Sequence, residues 1–590
     1  MEGLEEILLK IILQNPANGE VFYNLLRKET NKLKTSIPPK RELIIAYQKL
    51  IKNKRAVPNK HFEFLLRKAQ IRTLSGVAVI TSLVKPYNCP GNCVYCPSEA
   101  RMPKSYLASE PAAARALGLK FNPYEQMRQR ILMLEQNGHP TDKIEYIIKG
   151  GSWNAYPLKY QYWFILESFR ACNELSSRTL RSKGCGDPKD SQKKTGIASS
   201  RSSETRNDSL EQLRQQLKIE QRKNETSKHR IIGLTLETRP DCVTPTTIVH
   251  MREQGCTRIE LGLQAPDDKI LKLVDRGHTV QQFKDAMLLL RQAGFKVDLH
   301  FMPDLPGTTA KHDVEMYKLL FSDPGLKPDM VKIYPCTVIK SAPLYKWYKA
   351  GKYKPYSEHK LFEALIAMKL ATPRYCRISR LIRDIPENEI SGGNIITNLR
   401  QHLATEMKNR GLKCQCLRCR EIGHQQDLRL KTEDLRLFTD KYETTGGTEY
   451  FLSYEDKNRQ VVFAFLRLRL PTVIASPARA GRGNPNVLNT SMGIASSPSG
   501  ASRNDTAFIR ELHTYGQLMT LKHEHIKALK QKNDVQHTGF GKKLVLEAEK
   551  IAKKNHYQKL SIISGVGVRG YYRKLGYKLE KTYMTKKIST

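Results

Sequence analysis

Hydrophobic runs of strand length recur along the middle of the chain and alternate with amphipathic segments of helical period. Six of these runs lie between residues 76 and 386, at 76–84, 144–148, 231–236, 258–263, 297–302 and 330–334. Repeated β-α units of this kind predict a parallel sheet with helices outside it. Six units predict a partial (β/α)6 barrel whose chemistry lies at the C-terminal ends of the strands.

Residues 1–75 follow a helical pattern instead. Apolar residues recur at helical spacing from Leu4 to Leu13 and again from Leu43 to Ile51. Basic residues accumulate between and after these stretches, namely Lys32, Lys34, Lys40, Arg41, Lys52, Lys54, Arg55, Lys60, Arg67, Lys68 and Arg72. The pattern fits a basic helical module that binds RNA, and it fits solvated helix faces equally well.

Residues 426–590 follow a third pattern. Strand-like runs at 450–454, 461–470, 508–515 and 560–564 surround an amphipathic helix that begins near Gln536-His-Thr-Gly539-Phe-Gly541. A Q-x-x-G-x-G turn at a helix start presents backbone N–H groups to a pyrophosphate. Together with the terminal Tyr571-Tyr572-Arg-Lys-Leu-Gly576-Tyr577, this order resembles the acyl-CoA site of GNAT acetyltransferases and predicts an α+β domain of that type.

Two segments interrupt these patterns. Residues 176–229 and 471–505 are rich in polar residues and are predicted to be disordered or loosely helical insertions. Both carry the string Gly-Ile-Ala-Ser-Ser, at 196–200 and at 493–497. A string shared by two unrelated places indicates inserted repeat sequence, and neither segment is assigned any chemistry.

The composition of the chain predicts a class of binding partner and a cellular compartment. The 590 residues include 99 Lys and Arg against 58 Asp and Glu, a formal charge of +41. Such a charge predicts a polyanionic partner, first of all nucleic acid, although the basic polar segments contribute part of it. The 12 cysteines include two clusters, which indicates metal binding in a reducing compartment. Without a basic leader or a membrane-length apolar run, we expect a cytoplasmic protein and no membrane partner.

The first cysteine cluster is Cys89, Cys93 and Cys96, directly after the first predicted strand. Three thiolates at C-x3-C-x2-C spacing can hold three irons of a 4Fe-4S cube and leave the fourth iron open for a chelating ligand. In radical S-adenosylmethionine (SAM) enzymes that ligand is SAM. The alternatives are a structural zinc site, for which no fourth ligand follows, and three unrelated thiols.

Polar or glycine residues follow the other predicted strands. Gly150 and Gly151 follow the second strand, Glu237 and Arg239 the third, and Gln264 the fourth. Two glycines let backbone approach a ligand amino group, while the three polar side chains can hold ribose hydroxyls and a carboxylate. These five residues are the predicted SAM site.

The second cysteine cluster, Cys414, Cys416 and Cys419, lies in a predicted linker at 387–425. Three cysteines within six residues are good zinc ligands, and His424 is a candidate fourth ligand. A structural zinc clip between domains is expected here, with unligated thiols as the alternative.

The chain resembles the catalytic third subunit of Elongator and its single-chain prokaryotic relatives, from about residue 35 to about residue 585. The resemblance rests on CPGNCVYCP, EPAAARA, TDKIEYIIKGGSWNA, LTLETRPD, CTRIELGLQ, RGHT, HFMPDLPG, KIYPC, SRLIRDIP, FLSYED, RELHTYG, QHTGFGKKL and ISGVGVRGYYRKLGY. The C-x3-C spacing resembles the prokaryotic members. A radical SAM domain followed by a GNAT domain is a specific pairing.

The resemblance implies carboxymethylation of carbon 5 of the wobble uridine in tRNA, from acetyl-CoA and SAM. It implies catalytic roles for Lys143 and Tyr572, with the acyl end of acetyl-CoA pointing to Lys143 and the barrel mouth. The implied acetyl-CoA contacts are Lys143, Glu511, Leu512, His513, Thr514, Gly539, Phe540, Gly541, Lys542 and Tyr572. An electron donor of unknown identity is implied, and a homodimer is left open. The main rival is a protein lysine acetyltransferase with a structural iron–sulfur domain; a tRNA-binding protein with decayed sites and a radical SAM enzyme of another substrate are weaker.

Overall fold

The computed structural model describes residues 2–69, 73, 75–181, 208–424, 435–472, 505–515 and 539–588. The first four helices are α1 (Glu2–Leu13), α2 (Gly19–Lys32), α3 (Lys40–Lys52) and α4 (Lys60–Leu66). They bury their apolar faces in a core of their own that includes Leu8, Phe22 and Leu43. Asn18 caps α2 by accepting a hydrogen bond from the backbone of Val21. The apolar spacing therefore predicted helices correctly in this region.

A seven-stranded parallel sheet forms the central barrel. Its strands, in spatial order, are β1 (Ala78–Leu83), β2 (Lys143–Lys149), β3 (Arg230–Thr238), β4 (Arg258–Gln264), β5 (Lys296–Phe301), β6 (Met330–Ile333) and β8 (Arg377–Arg380). All six pairs of neighbouring strands are parallel. The six predicted strands are confirmed, and Arg377–Arg380 is an addition because its four residues are too short and polar to stand out.

The barrel helices cover the outside of this sheet. They are α5 (Pro111–Gly118), α6 (Pro123–Gln136), α7 (Leu158–Arg181), α8 (Leu210–Asn224), α9 (Pro245–Glu253), α10 (Asp268–Leu273), α11 (Val280–Gln292), α12 (Ala310–Ser322), α13 (Leu344–Lys349) and α14 (Glu358–Ala371). A short pair, β7 (Val338–Ile339) and β9 (Ile390–Gly392), lies apart from the main sheet. Single 3-10 turns occupy Trp153–Ala155, Pro240–Cys242, Glu387–Glu389, Ile422–His424 and Val566–Val568.

Residues 176–229 were predicted to be a disordered or loosely helical insertion, and helix α8 shows that 210–224 form a regular helix packed on the barrel. Ser209 and Gln212 form a reciprocal capping box at its start. Leu213 and Leu217 are fully buried in the barrel core, where each contributes about 1.5–3 kcal/mol. The polar composition of this segment concealed the helix, because a helix that packs on one side needs only a narrow stripe of apolar residues. The string at 196–200, and the one at 493–497, lie outside the described residues.

The predicted linker after the barrel also packs against the barrel. Helices α15 (Leu399–Asn409) and α16 (Leu417–Arg420) occupy the predicted linker. Leu403, Cys416 and Leu417 are buried in the same core as the barrel strands. The cysteine segment is therefore held against the barrel.

The C-terminal part forms a second seven-stranded sheet. Its order is β10 (Leu435–Thr444), β11 (Gly447–Asp456), β12 (Val462–Pro471), β13 (Thr506–Thr514), β14 (Lys559–Ile562), β16 (Tyr583–Lys587) and β15 (Lys578–Glu580). Strands β13 and β14 are parallel neighbours, and the other pairs are antiparallel. Helices α17 (Phe540–Lys554) and α18 (Arg569–Arg573) accompany the sheet. The predicted strands and the helix after Gly539 are confirmed.

Buried ion pairs join the two sheets. Arg510 donates to Asp329 at the start of β6 and to the Phe295 carbonyl before β5. Arg467 donates to the Tyr375 carbonyl before β8. Because these contacts lie before the barrel strands begin, the second sheet covers the N-terminal ends of the barrel. Removing one partner of a fully buried ion pair costs about 3–5 kcal/mol, so this interface holds the sheets rigidly.

Candidate active site

One cavity of about 1630 Å³ extends through the barrel and reaches the second sheet. At the C-terminal ends of the strands it is lined by Cys96 and Tyr106, and beneath the barrel by Gly541 and Tyr572. Inward-facing residues of β1 to β6 and β8 line it between these ends. The interior of the barrel is therefore open between the two predicted sites.

The position of Lys143 corrects one expectation. Lys143 is the first residue of β2 and Lys149 the last, so about 20 Å separates them at roughly 3.3 Å per residue. Lys143 thus lies at the N-terminal end of the barrel, opposite the cysteine loop, and not at the barrel mouth. It does face the second sheet, because it lines the same cavity as Glu511 and Tyr572.

The cysteine loop follows β1 at the C-terminal end of the barrel. Cys93 is buried, whereas Cys89 and Cys96 are half-buried. Ligands of one zinc ion lie about 2.3 Å from it, so their sulfur atoms lie within about 4.6 Å of one another. Among the described residues, the groups of donor atoms within 4.8 Å of one another do not include these three thiols. Their spacing favours a cube, in which each thiolate has its own iron, over a single ion.

Charge around the loop favours the thiolate of Cys93 but not that of Cys96. Burial alone would raise the pKa of Cys93, but the Arg276 guanidinium beside it outweighs this and lowers the pKa. Burial and the neighbouring Cys93 raise the pKa of Cys96 to about 12. A bound iron ion would supply the positive charge that Cys96 needs to ionise.

Two of the five predicted SAM residues line the cavity, and the other three do not. Glu237 and Gln264 line the cavity, and the Oε1 atom of Gln264 is buried without a hydrogen-bond partner among the described residues. Gly150 and Gly151 have φ angles of +134° and +85°, and a Cβ on Gly150 would lie 2.2 Å from Val84 Cγ2. Gly150 is therefore required by packing against β1. Arg239 does not line the cavity and faces the cysteine loop.

A buried cluster of charged groups lies inside the barrel, towards the C-terminal ends of the strands. It comprises Lys149, Glu237, Glu260, His300 and Lys332. Glu260 pairs with both lysines and lies 3.3 Å from His300 Nε2, while Glu237 accepts a hydrogen bond of 2.9 Å from Tyr106. Because both lysines pair with the carboxylates, the cluster is an ion-pair network. Ligand atoms of Glu237, Glu260 and His300 also lie within 4.8 Å of one another.

Ionisation in this cluster follows from burial and neighbouring charge. Burial and Lys332 lower the pKa of His300 to about 3, so its ring is neutral near pH 7. Burial opposes ionisation of Glu237, but Lys149 and the other cations lower its pKa to about 2. Sequence reasoning noted polar residues at several strand ends but not this unit. Polar residues at the inward-facing positions of consecutive strands would have indicated this cluster from the sequence.

The predicted acetyl-CoA residues lie together, with one exception. Those lining the cavity are Lys143, Glu511, Leu512, His513, Thr514, Gly539, Gly541, Lys542 and Tyr572. Phe540 instead packs in the core of the second sheet, 4.6 Å from the Tyr454 ring. Gly539 begins α17 with φ of +78°, a conformation that glycine adopts without strain. The start of the helix therefore faces the cavity, and the backbone N–H groups of a first helical turn have no partner within the helix.

Two cations hold the carboxylate of Glu511. Arg467 donates to it at 2.8 Å and Lys296 at 3.4 Å. Burial would raise the pKa of Glu511, but these two cations lower it to about 2. The Nε2 atom of His513, two residues along the strand, is buried without a hydrogen-bond partner among the described residues. This edge of the cavity thus offers polar groups prepared for a ligand.

The second cysteine cluster has the geometry of a single-ion site. The thiols of Cys414, Cys416 and Cys419 lie within 4.8 Å of one another. His424 is not a member of this group, and its Nε2 atom lies 3.7 Å from Glu421. The structure therefore brings together three predicted ligands and leaves the candidate fourth ligand apart.

Comparisons with known proteins agree with this arrangement. The Radical SAM superfamily profile matches residues 203–320, and the Radical_SAM C-terminal domain profile matches residues 328–409. The tRNA uridine(34) acetyltransferase of Methanocaldococcus infernus is 38% identical over 534 residues, covering 89% of this chain and 88% of that protein. Elongator complex protein 3 of Saccharomyces cerevisiae is 34% identical, with 90% and 87% covered.

A solved structure shows the same fold. Methanocaldococcus infernus Elp3 with an N-terminal deletion matches with a TM-score of 0.66 and 36% identity, covering 87% of this chain and 99% of that chain. The open parallel barrel with its cysteine loop and the second sheet define a radical SAM enzyme joined to a GNAT-like domain. The chain belongs to the family of tRNA uridine(34) acetyltransferases and Elongator complex protein 3.

Proposed function

We propose that this protein forms 5-carboxymethyluridine at the wobble uridine of tRNA anticodons, using acetyl-CoA and SAM. The single observation that carries the proposal is the continuous cavity, which is lined by Cys96 at one end and by Gly541 and Tyr572 at the other. An enzyme that joins an acetyl carbon to a base by radical chemistry needs both sites to open into one space. The names of the relatives agree with a tRNA substrate and an acetyl donor.

The residues fit the groups that this reaction requires. Cys89, Cys93 and Cys96 would hold the 4Fe-4S cluster, Glu237 and Gln264 would contact SAM, and the glycines at the start of α17 would hold acetyl-CoA. When bound, the cluster and SAM supply radical chemistry while the protein positions the reactants and excludes side reactions. Arg467 and Lys296 keep Glu511 ionised at the acetyl-CoA end.

The rival function is acetylation of protein lysines by the second sheet alone. A lysine acetyltransferase would need its acceptor to reach the acetyl group from solvent. Here the predicted acetyl-CoA residues face the N-terminal end of the barrel, where Lys143 and Lys296 line the same cavity as His513. This placement favours an acceptor inside the barrel.

The deciding experiment is mass spectrometry of wobble nucleosides in tRNA. Purified protein with SAM, acetyl-CoA, a reductant and unmodified tRNA should form carboxymethyluridine, and omitting either SAM or acetyl-CoA should abolish it. Acetylated protein lysines together with unmodified uridine would favour the rival.

The N-terminal helices are proposed to contact tRNA phosphates through some of their basic residues. Lys40 donates to the Leu65 and Arg67 carbonyls, and Arg55 pairs with Glu5 and Glu6. These two basic residues stabilise the module itself. Arg41, Lys52 and Lys54 are exposed instead and are better placed for RNA.

Reversing the charge of Arg41, Lys52 and Lys54 to glutamate should weaken tRNA binding. Each lost phosphate contact should also reduce the slope of log K against log salt by about 0.7–0.9. Filter binding over a salt series measures both. The same reversal at Lys550, Lys553 and Lys554 on α17 is the control for net charge. Equal losses in both sets would show that only total charge matters.

The three thiols of Cys414, Cys416 and Cys419 are proposed to hold a structural zinc ion. Their mutual distances suit one tetrahedral ion, with the fourth ligand unassigned. Metal analysis should find one zinc per chain, and Cys416→Ser should lose it and lower the melting temperature. Wild-type protein without zinc would contradict the proposal.

The protein is proposed to act in the cytoplasm, where tRNA is abundant. Within the part of the chain that the structure describes, no helix combines the length and apolarity needed to cross a bilayer. The electron donor and a homodimer remain predictions from the resemblance.

A further inference from the structure

Two buried arginines, Arg239 and Arg276, lie beside the cysteine loop. Arg239 was predicted to bind SAM but does not line the cavity, and Arg276 belongs to neither predicted ligand site. Arg276 donates from Nη1 to Cys93 Sγ at 3.5 Å and from Nη2 to the Gly262 carbonyl at 2.7 Å. Arg239 in turn donates to the Arg276 carbonyl at 2.9 Å and pairs with Asp241. Arg239, which directly follows β3, thus holds the backbone of Arg276, and the side chain of Arg276 contacts the thiol of Cys93.

Glycines make room for both guanidinium groups. A Cβ on Gly91, inside the cysteine loop, would lie 2.0 Å from Arg239 Nη1. A Cβ on Gly262 would lie 2.5 Å from Arg276 Nη2. Any other residue at either position would displace an arginine, so the backbone and the arginines are matched to each other.

Each arginine retains an unsatisfied donor. Arg239 Nη1 and Arg276 Nε are buried without hydrogen-bond partners among the described residues. The two residues are only 4% and 7% exposed. Asp241 balances the charge of Arg239, whereas Arg276 faces the hydroxyl of Tyr95 and the thiols of Cys93 and Cys96. A buried guanidinium with a spare N–H beside the thiols of Cys93 and Cys96 is suited to an anionic group held by the cysteine loop.

We propose that Arg276 is a positioning residue that raises the reduction potential of the cluster on the cysteine loop, and that Arg239 acts by holding Arg276 in place. The inference rests on the proposed function, because it requires the cluster. Reduction adds a negative charge to the cluster, and an adjacent guanidinium with an N–H···S bond stabilises that state more than the oxidised one. Arg239 thereby supports the loop rather than binding the SAM carboxylate.

The test compares Arg276→Gln and Arg276→Lys with wild type in anaerobically reconstituted full-length protein. The readout is the midpoint potential of the cluster from EPR-monitored redox titration, with iron content measured on the same samples. At a fixed potential, Arg276→Gln should lower the ratio of reduced to oxidised cluster about tenfold, which corresponds to about 59 mV for one electron. Arg276→Lys keeps the charge but not both contacts, so its shift should be smaller and in the same direction.

His278→Gln is the matched control. His278 contacts the same Gly262 carbonyl at 3.0 Å, and burial together with Arg276 lowers its pKa to about 4, so the substitution removes no charge near pH 7. Its cluster potential should equal that of wild type. Equal potentials in wild type and both Arg276 variants would overturn the inference. If Arg276→Gln fails to retain iron, an unshifted potential in Arg276→Lys overturns it equally.

The outcomes separate this inference from the proposed function. Absence of a cluster from wild-type protein would refute the proposed function and the inference together. A wild-type cluster that forms the modified nucleoside, with potentials indifferent to Arg276, would refute the inference alone.

Discussion

Gly541→Glu should abolish acetyl-CoA binding and nucleoside formation. A Cβ at this position would lie 2.7 Å from the Tyr571 hydroxyl and 3.6 Å from Thr514 Oγ1, so the longer side chain must enter the cavity. It would also place a negative charge at the start of α17, where the helix dipole favours the pyrophosphate. Calorimetry with acetyl-CoA and nucleoside mass spectrometry measure the two losses. Iron content and uncoupled SAM cleavage should be unchanged.

Two further variants separate charge from bulk and from general damage. Gly541→Gln has the same size without the charge, so it should lose less affinity than Gly541→Glu. Gly19→Glu introduces the same residue at the start of α2, where a Cβ meets nothing within 4 Å, and should bind acetyl-CoA normally. Unaltered carboxymethyluridine formation by Gly541→Glu would show that the second sheet is not part of this active site.

Cys93→Ala should remove the iron–sulfur cluster and all SAM cleavage. Cys93 is the most deeply buried of the three thiols and the one that Arg276 contacts. Without it, one iron of the cube loses its protein ligand. Iron analysis, visible absorbance and 5′-deoxyadenosine formation measure the loss, which should exceed a hundredfold for SAM cleavage. Acetyl-CoA affinity should persist, because the residues predicted to bind it lie at the other end of the cavity.

Cys172→Ala is the control for loss of a buried thiol. Cys172 is fully buried in α7, within the barrel core, and should cost some stability without affecting iron. Full iron content in Cys93→Ala would contradict the cluster assignment. Complete acetyl transfer to a protein lysine by Cys93→Ala would instead support the rival function.

Patterns that depend on near neighbours in the chain were predictable. The six barrel strands stood out because largely apolar runs of strand length alternate with helical patterns along the chain. The start of α17 stood out because the Gly539-Phe-Gly541 turn and the amphipathic helix adjoin. Helix α8 was harder to predict from the sequence, because its apolar stripe of Leu213 and Leu217 is narrow within a polar sequence.

Charged residues that meet across the fold were not predictable. In β12, Arg467 and Arg469 belong to a run of alternating Leu and Arg that ordinarily indicates a strand with one solvated face. Both arginines are buried, because Glu449 and Glu511 of the neighbouring strands and Asp329, just before β6, pair with them. No local pattern indicates a carboxylate from a distant strand. The Glu260 cluster in the barrel escaped notice for the same reason.

By itself, the sequence determined the secondary structure of most of the chain, the two kinds of domain and the residues of the cysteine and helix-start motifs. Only the tertiary structure decided that the second sheet covers the N-terminal end of the barrel, so that Lys143 at the start of β2 lines the same cavity as Glu511 and Tyr572. The physical reason is that helix and strand periodicity and turn chemistry depend on adjacent residues. The docking of two sheets depends instead on buried ion pairs such as Arg510 with Asp329, 181 residues apart.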